Sequence, residues 1–413
     1  MKPLAGVRIL DASHVVAGPF ASYQLALMGA EVIRIDRVVG DDFVRFHGGT
    51  DAMRTAGLGA SYVSQNAGKS CIQLDLKDPR GIDLFKRLAA TADVVLENFR
   101  PGVVDRLGIG YEAMRAIKPD VIYCSLTGYG PDGPMRDAPA YDHIVQGVSG
   151  LMSTTGTPET GPMRSGIPIT DYLAGYNGVI AILAALHYRH ATGEGQHLQV
   201  TMLGAALPVL GAALVDYQTT GNIRDLMGNQ PFSDSPFSGR FDTADGQIVM
   251  TANTAQQSAA LIEALAIKTL DEELERTRQR RQLSSAQKAK AKAALDAAFM
   301  TDVADHWVDK LTKASVPAGK VAALGDVMAN PQLGAIGTMD AVDVIGQDEK
   351  VAVPGLAFTS NLTGRNDLPS PEASGASTRR VLADLGLDAE EIDSLARAGI
   401  LAGPGLPKAE DGD

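Results

Sequence analysis

The chain is short of several things. It holds two cysteines in 413 residues, and Cys71 and Cys124 show neither metal-ligand nor redox spacing. Positive charge is scarce: 37 Lys and Arg stand against 49 Asp and Glu, for a net charge of −12. No Lys/Arg cluster is long enough to track a phosphate backbone, which argues against nucleic acid as a partner. No apolar run reaches the roughly 18 uninterrupted residues of a membrane span. The nearest approach, 172–186, carries Gly175, Asn177 and Gly178 and reads as a buried helix, so no membrane is expected. The first residues, Met1-Lys-Pro-Leu-Ala-Gly-Val-Arg, lack the apolar core of a signal peptide, so the expected location is cytoplasmic. There is no internal repeat.

The dinucleotide fingerprint is also missing. After the first strand-like run the chain reads Ser13-His-Val-Val-Ala-Gly-Pro19, not G-x-G-x-x-G. Asp36, at the end of the second run, suits a ribose, but without the glycines it is weak support for NAD. Hydride transfer is disfavoured.

What is present is ample core. Hydrophobic residues make up 45% of a chain long enough for about two to three domain-sized units. Strand-like runs at 7–11, 31–36, 71–76, 93–97 and 121–126 alternate with helical segments at 20–28, 80–91 and 111–117. This alternation predicts an α/β fold: a Rossmann-like domain with a parallel sheet, whose ligands bind at the carboxyl ends of the strands. From Gly204 the pattern loosens. A turn-rich stretch (227–239), a hairpin from Gly239 and helices at 255–266, 272–281 and 286–300 read as a smaller α/β domain. The expected division is 1–224, 225–325 and a C-terminal return at 326–413. That return has a loop at 360–371, closing helices at 377–385 and 389–398, and a frayed tail from Gly403.

One carboxylate stands out. In Gly166-Ile-Pro-Ile-Thr-Asp-Tyr-Leu-Ala-Gly175, Pro168 ends an extended stretch just before a helix, placing Asp171 at or beside an N-cap. A helix entry favours the ionised form of such a group. Two readings fit: a plain capping residue, or an oriented carboxylate for attack on a carbonyl carbon.

Several phrases bear on that choice. They are Pro3-Leu-Ala-Gly-Val-Arg-Ile-Leu-Asp, Ala17-Gly-Pro, Met28-Gly-Ala-Glu-Val-Ile-Arg-Ile-Asp, Asn66-Ala-Gly-Lys-Ser and Gln73-Leu-Asp-Leu-Lys. Further on come Asp93-Val-Val-Leu-Glu-Asn-Phe-Arg-Pro-Gly, Leu107-Gly, Thr127-Gly-Tyr-Gly, Tyr141-Asp-His-Ile-Val-Gln and Arg189-His-Ala-Thr-Gly-Glu-Gly-Gln, with Arg380-Val-Leu-Ala-Asp-Leu-Gly-Leu near the end. In this order the chain resembles the family III CoA-transferases, the group that includes formyl-CoA and carnitine CoA-transferases.

The resemblance implies that Asp171 is the nucleophile, passing through a mixed anhydride to an aspartyl-CoA thioester. It implies a coenzyme A thioester as substrate, with no prosthetic group and no metal. Arg37 then matches the contact to the nucleotide portion, and Lys77 and Arg106 match cations near phosphates. Val15, Ala17, Leu74, Asn98 and Phe99 match contacts to the adenine and pantetheine arm. Plain surface solvation explains Arg37, Lys77 and Arg106 taken singly. Asp142 matches an acidic neighbour of the nucleophile; a pKa-shifting pair and a structural hydrogen bond are both open. His14 is a candidate substrate or CoA contact and equally a packed loop histidine, while His143 is expected to be structural. The resemblance also implies an interlocked homodimer, with the active site between domains or subunits.

The chain departs from the family pattern in two places. Val16 stands where the formyl-CoA enzymes carry Gln, and Ser233-Asp-Ser-Pro-Phe-Ser-Gly239 is the candidate for their glycine-rich lid, which argues against formate and oxalate as substrates. Racemases of the same fold use a His in a His-Asp-x-Asn-Tyr phrase, but here the place reads Ala140-Tyr-Asp-His-Ile144. Tyr141 in place of the basic His favours transferase over racemase, with His143 keeping the alternative open. A CoA-binding scaffold without catalysis is a third reading, opposed by Asp171. The expected partners are an acyl-CoA such as succinyl-CoA and a small carboxylic acid, with Arg45 a candidate clamp for a second carboxylate or equally a surface salt-bridge partner.

Overall fold

A computed structural model describes residues 2–40, 42–223, 225–230, 235–278, 283–361 and 368–409. They form two compact units. The larger comprises Met1–Met152, Arg164–Asn222 and Gln332–Asp413; the smaller comprises Ser153–Met163 and Ile223–Pro331. Residues 153–163, expected with the N-terminal part of the larger domain, belong to the smaller unit.

The larger unit is built on seven strands: β1 (Arg8–Asp11), β2 (Glu31–Asp36), β3 (Lys69–Leu74), β4 (Val94–Glu97), β5 (Ile122–Thr127), β6 (Gln196–Thr201) and β7 (Leu401–Ala402). Their order is β7-β3-β2-β1-β4-β5-β6, all parallel except β7, which runs against β3. The five inner strands are largely apolar because helices cover both faces, whereas the edge strand β6 is not. Ile9, Val32, Val94 and Leu96 point to one face, and Leu10, Ile33 and Val95 to the other.

On the first face lie α1 (Ala17–Leu27) and α6 (Ile169–Thr192), packing Ala21 and Leu25 with Ala174, Val179 and Ile182. On the second, α2 (Pro79–Thr91) contributes Leu84, Phe85 and Leu88, beside Leu382 of α7 (Thr378–Asp384) and Ile392 of α8 (Ala389–Arg397). Helix α2 starts where the sequence directs it. Asp78 caps the Arg80 N–H at 2.8 Å, and Pro79 occupies the first turn, where no N–H is required. Three short helices complete the part that matters below: α3 (Val103–Leu107), α4 (Tyr111–Ile117) and α5 (Asp142–Val148).

Helix α6 is longer than the apolar run that announced it. Its 24 residues are long and apolar enough, by length and composition, to cross a bilayer. In this fold it packs one face against α1. Gly175 makes that approach possible: a Cβ there would lie 2.8 Å from the Ala17 carbonyl oxygen.

The smaller unit has a three-stranded antiparallel sheet, with Gln247–Thr251 between Ser238–Asp242 and Ala318–Lys320. Helices at Ala255–Ala264, Asp271–Arg278, Ser285–Phe299 and Ala304–Lys313 close a core containing Phe237, Phe299 and Trp307. Of the lid candidate, Ser233 and Asp234 lie outside the described residues, and Ser238 and Gly239 begin a strand rather than a loop. The ends of three expected segments also fall outside the described residues: 279–281 of one helix, 362–367 of the loop and 410–413 of the tail.

Candidate active site

Strand order reverses between β1 and β4, so the chains leaving these strands diverge and leave a crevice at their carboxyl ends. A cavity of about 900 Å³ opens there. All of its lining residues belong to the larger unit.

Asp171 lines this cavity as the third residue of α6. It is not the N-cap, as expected; Pro168 holds that position and offers no side-chain bond. The cap comes from elsewhere. Asp142, in the first turn of α5 and buried, accepts the Thr170 N–H at 2.8 Å and the Thr170 hydroxyl at 2.7 Å through Oδ1. Gln146, one turn on, donates to Asp142 Oδ2 at 2.6 Å and to the Ile167 carbonyl at 3.3 Å, and accepts the Ser165 N–H at 2.8 Å. The carboxylate that satisfies the helix start is therefore Asp142, and Asp171 is left for the cavity.

The electrostatic expectation is reversed as well. Burial, and then the negative charge of Asp142, push the Asp171 carboxyl up to about 7. Desolvation outweighs whatever the helix start contributes to the ionised form.

Across the cavity, the loop after β1 holds His14, Val15 and Ala17. Val15 adopts φ +70°, a left-handed conformation that a β-branched residue rarely enters. Neighbours hold it there: Asp42 Oδ2 accepts its N–H and Gln65 donates to its carbonyl, both at 2.8 Å. His14 is clamped on both sides of its backbone by Asn98, which accepts its N–H at 2.9 Å and donates to its carbonyl at 2.8 Å. The His14 ring meets the Phe99 ring edge to face at 5.9 Å. Burial and then the nearby Arg34 lower its pKa, so the imidazole is neutral at pH 7. Its Nδ1 is buried without a hydrogen-bond partner.

The remaining expected contacts divide. Arg37 after β2, Leu74 and Lys77 around the end of β3, and Asn98 and Phe99 after β4 all line the cavity. Arg106 does not: it lies on the exposed side of α3. Arg100 and Arg136, neither identified from sequence, line the cavity instead. Arg37, Lys77, Arg100 and Arg136 give it four cations in a chain of net charge −12. His143 is not among the lining residues; its ring lies 6.3 Å from Tyr141, nearly parallel to it at 12°.

Arg45 is no carboxylate clamp. It is fully buried, ion-paired with Asp36 at 2.5 Å and hydrogen-bonded to the Tyr62 hydroxyl at 2.7 Å and to the carbonyls of Gly57 and Glu372 at 3.1 and 3.2 Å. Asp36 is likewise committed, since Arg34 also pairs with it at 2.9 Å. These bonds fasten β2 to the C-terminal return.

Fold and site together define an α/β enzyme whose crevice is lined by four cations and four carboxylates, one of them, Asp171, with a raised pKa. The profile of CoA-transferase family III matches residues 4–378, and the chain belongs to that family. Among its relatives, a succinate–glutarate CoA-transferase from Agrobacterium fabrum is 35% identical over 390 residues, covering 93% of this chain and 96% of the relative. An acetyl-CoA:oxalate CoA-transferase from Acetobacter aceti is 35% identical over 336 residues, covering 81% and 84%. A crystal structure of a CAIB/BAIF family protein from Brucella suis superposes with a TM-score of 0.81 at 29% identity, covering 93% of this chain and 99% of that one. The chain is an acyl-CoA:carboxylate CoA-transferase.

Proposed function

We propose that Asp171 carries CoA between donor and acceptor as an aspartyl thioester. An Asp171 carboxylate oxygen attacks the thioester carbonyl carbon of the donor, and the C–S bond breaks to release CoA thiolate. The thiolate attacks the Asp171 carbonyl carbon of the mixed anhydride, and the donor acid leaves as its carboxylate. An acceptor carboxylate then attacks the aspartyl-CoA and the sequence runs in reverse, restoring the Asp171 carboxylate. Holding CoA on the enzyme keeps the thioester from being lost to water.

The observation that carries this reading is the division of labour between Asp142 and Asp171. Both line the cavity, but the Asp142 carboxylate is held by Thr170 and Gln146, while Asp171 has its pKa pushed up to about 7. A more basic carboxylate is a better nucleophile once ionised, and half of it is ionised near pH 7. Arg37, Lys77, Arg100 and Arg136 would pair with the phosphates of CoA. Val15, Ala17, Leu74, Asn98 and Phe99 would line its adenine and pantetheine arm, and His14 would contact the substrate as a neutral imidazole.

For the substrates we propose succinyl-CoA as donor and a dicarboxylate as acceptor. The names of the two relatives support this, since glutarate and oxalate are both dicarboxylates. The name of the oxalate enzyme keeps oxalate among the acids to be assayed, against the expectation drawn from Val16. Two chains would form the working unit. In its support, α6 and the helix Gly211–Thr220 carry unpartnered apolar residues, with Ile180 65% and Val215 60% exposed. Buried free cysteines suit the reducing cytoplasm.

His143, the histidine that kept the racemase alternative open, is not in the lining of the Asp171 cavity, whereas His14 is. A paired assay decides between transfer and isomerisation. Succinyl-CoA is mixed with glutarate, oxalate and malate in deuterated water, following new acyl-CoA by chromatography and α-deuterium by mass spectrometry. New acyl-CoA without deuterium supports transfer; deuterium without new acyl-CoA supports the isomerase.

A further inference from the structure

Behind residues 98–101 lies a second cavity of about 130 Å³, walled partly by β5 and β6. It shares Phe99, Arg100 and Arg136 with the larger cavity but not Asp171. Its buried acid is Glu97, the last residue of β4 and only 3% exposed.

Glu97 has two polar neighbours. Oε2 accepts the Phe99 N–H at 2.7 Å. In register across the sheet stands Ser125, whose hydroxyl favours the ionised form of the Glu97 carboxyl. The Ser125 oxygen lies 3.1 Å from His197 Nε2. His197 is exposed, stacked on Tyr111 at 4.9 Å and edge-on to Tyr123 at 5.4 Å. An exposed imidazole, a serine bonded to it and a buried carboxylate in register with that serine thus stand behind the backbone of the strip that lines the CoA cavity. Asn98, one residue along that strip, is the clamp on His14.

We propose that Glu97 is a positioning residue: its carboxylate, bonded to the Phe99 N–H, holds residues 98–101 in the CoA-receiving arrangement and loosens them when it is protonated. The inference rests on the reading that the larger cavity takes CoA. A turn needs only an acceptor for the Phe99 N–H, and a glutamine would supply one without burying a charge. Glutamate at this place adds the ability to change charge.

The surroundings let it do so near neutrality. Burial pushes Glu97 up to about 7; Ser125 and the Phe99 bond oppose the rise, and Asp105 on α3 adds to it. Burial lowers His197, against the pull of Asp105 and of Glu112 on α4. Tyr123 and Cys124 on β5 are pushed far above their usual ranges by burial, so neither exchanges protons with Glu97 near pH 7. Arg100 and Arg136 face the same small cavity and stay charged. Ser125 serves both states. Its hydroxyl can donate or accept, so it suits either charge state of the neighbouring Glu97. Above pH 7 the Phe99 bond is charge-assisted and short; below it, a neutral acid holds the strip less firmly.

The test is CoA affinity by titration calorimetry from pH 6 to pH 8.5. The full chain carries Asp171→Asn, which removes both the chemistry and the other group titrating near 7. Parent, Glu97→Gln and Ser125→Ala versions are compared. CoA's own phosphate titrates equally in all three. Between pH 8 and pH 6 the parent is expected to lose about tenfold more affinity than Glu97→Gln, whose amide oxygen still accepts from Phe99. Ser125→Ala, which removes a hydroxyl favouring the carboxylate, moves the midpoint to higher pH. Equal pH slopes in parent and Glu97→Gln, or an unmoved midpoint in Ser125→Ala, overturn the inference alone. If Glu97→Gln does not fold, the Ser125→Ala midpoint decides. Absence of CoA binding by the parent at every pH overturns the CoA reading and the inference with it.

Discussion

One oxygen of Asp142 accepts both the backbone N–H and the hydroxyl of Thr170, at 2.8 and 2.7 Å. Asp171 is the next residue, so a carboxylate 29 positions earlier in the chain fixes where it leaves the helix. The same carboxylate raises its pKa.

Asp142→Asn separates these two effects. The amide oxygen can still accept from Thr170, but the charge is gone, so Asp171 titrates below 7 while remaining above an ordinary aspartate because burial persists. In the wild type, kcat/KM for the donor should fall as pH drops through about 7, where Asp171 takes up its proton. In the variant that limb moves to lower pH. Asp142→Ala orphans the Thr170 N–H and should destabilise the fold by about 1–3 kcal/mol. A pH–rate series with a urea titration checks both.

Asp171→Asn should stabilise the protein at neutral pH. The folded pKa of Asp171 lies above its ordinary value of 3.8, so its contribution to stability is fully present only below about pH 3.8 and is lost as pH rises through about 7. The gain from removing the ionisable group therefore grows between pH 4 and pH 8, reaching about 2 kcal/mol in order of magnitude. Urea unfolding at the two pH values measures it; an equal difference at both contradicts the assignment.

Arg45→Ala is expected to act on stability rather than on the acceptor. It leaves Asp36 short of one partner in a buried network and frees the bonds to Tyr62 and Glu372. The loss should be about 3–5 kcal/mol. Normal stability with a raised KM for the acid would restore Arg45 as a substrate clamp.

Arg136→Ala should raise KM for the acyl-CoA about tenfold with kcat little changed, because a phosphate contact serves ground state and transition state alike. Arg106→Ala, outside the cavity, should change neither parameter more than about twofold. Steady-state kinetics on the two variants compares them directly.

Much of this site was legible in the chain, and its failures have physical causes. Strands β1 to β5 announced themselves because burial on both faces demands largely apolar runs. The edge strand β6, Gln-His-Leu-Gln-Val-Thr, has no such demand and was missed. The cavity residues that follow strands were named from the family resemblance, and the fold gathers them because the strand ends meet at the crevice. Arg136 was not, since it sits in an irregular Pro- and Gly-rich stretch with no period to read. Arg45 was misread because its partners are remote, Glu372 being 327 residues away. The raised pKa of Asp171 was reversed for the same reason. Local sequence shows a helix start, whereas burial and Asp142 arrive only with the fold.

The covalent step is tested most directly by intact-protein mass spectrometry after mixing with succinyl-CoA and a small panel of other acyl-CoA thioesters. The expected result is a CoA-sized adduct on the wild type, removed by hydroxylamine and absent from Asp171→Asn. An adduct that persists in Asp171→Asn, or transfer activity that survives the substitution undiminished, contradicts the assignment of Asp171 as the nucleophile.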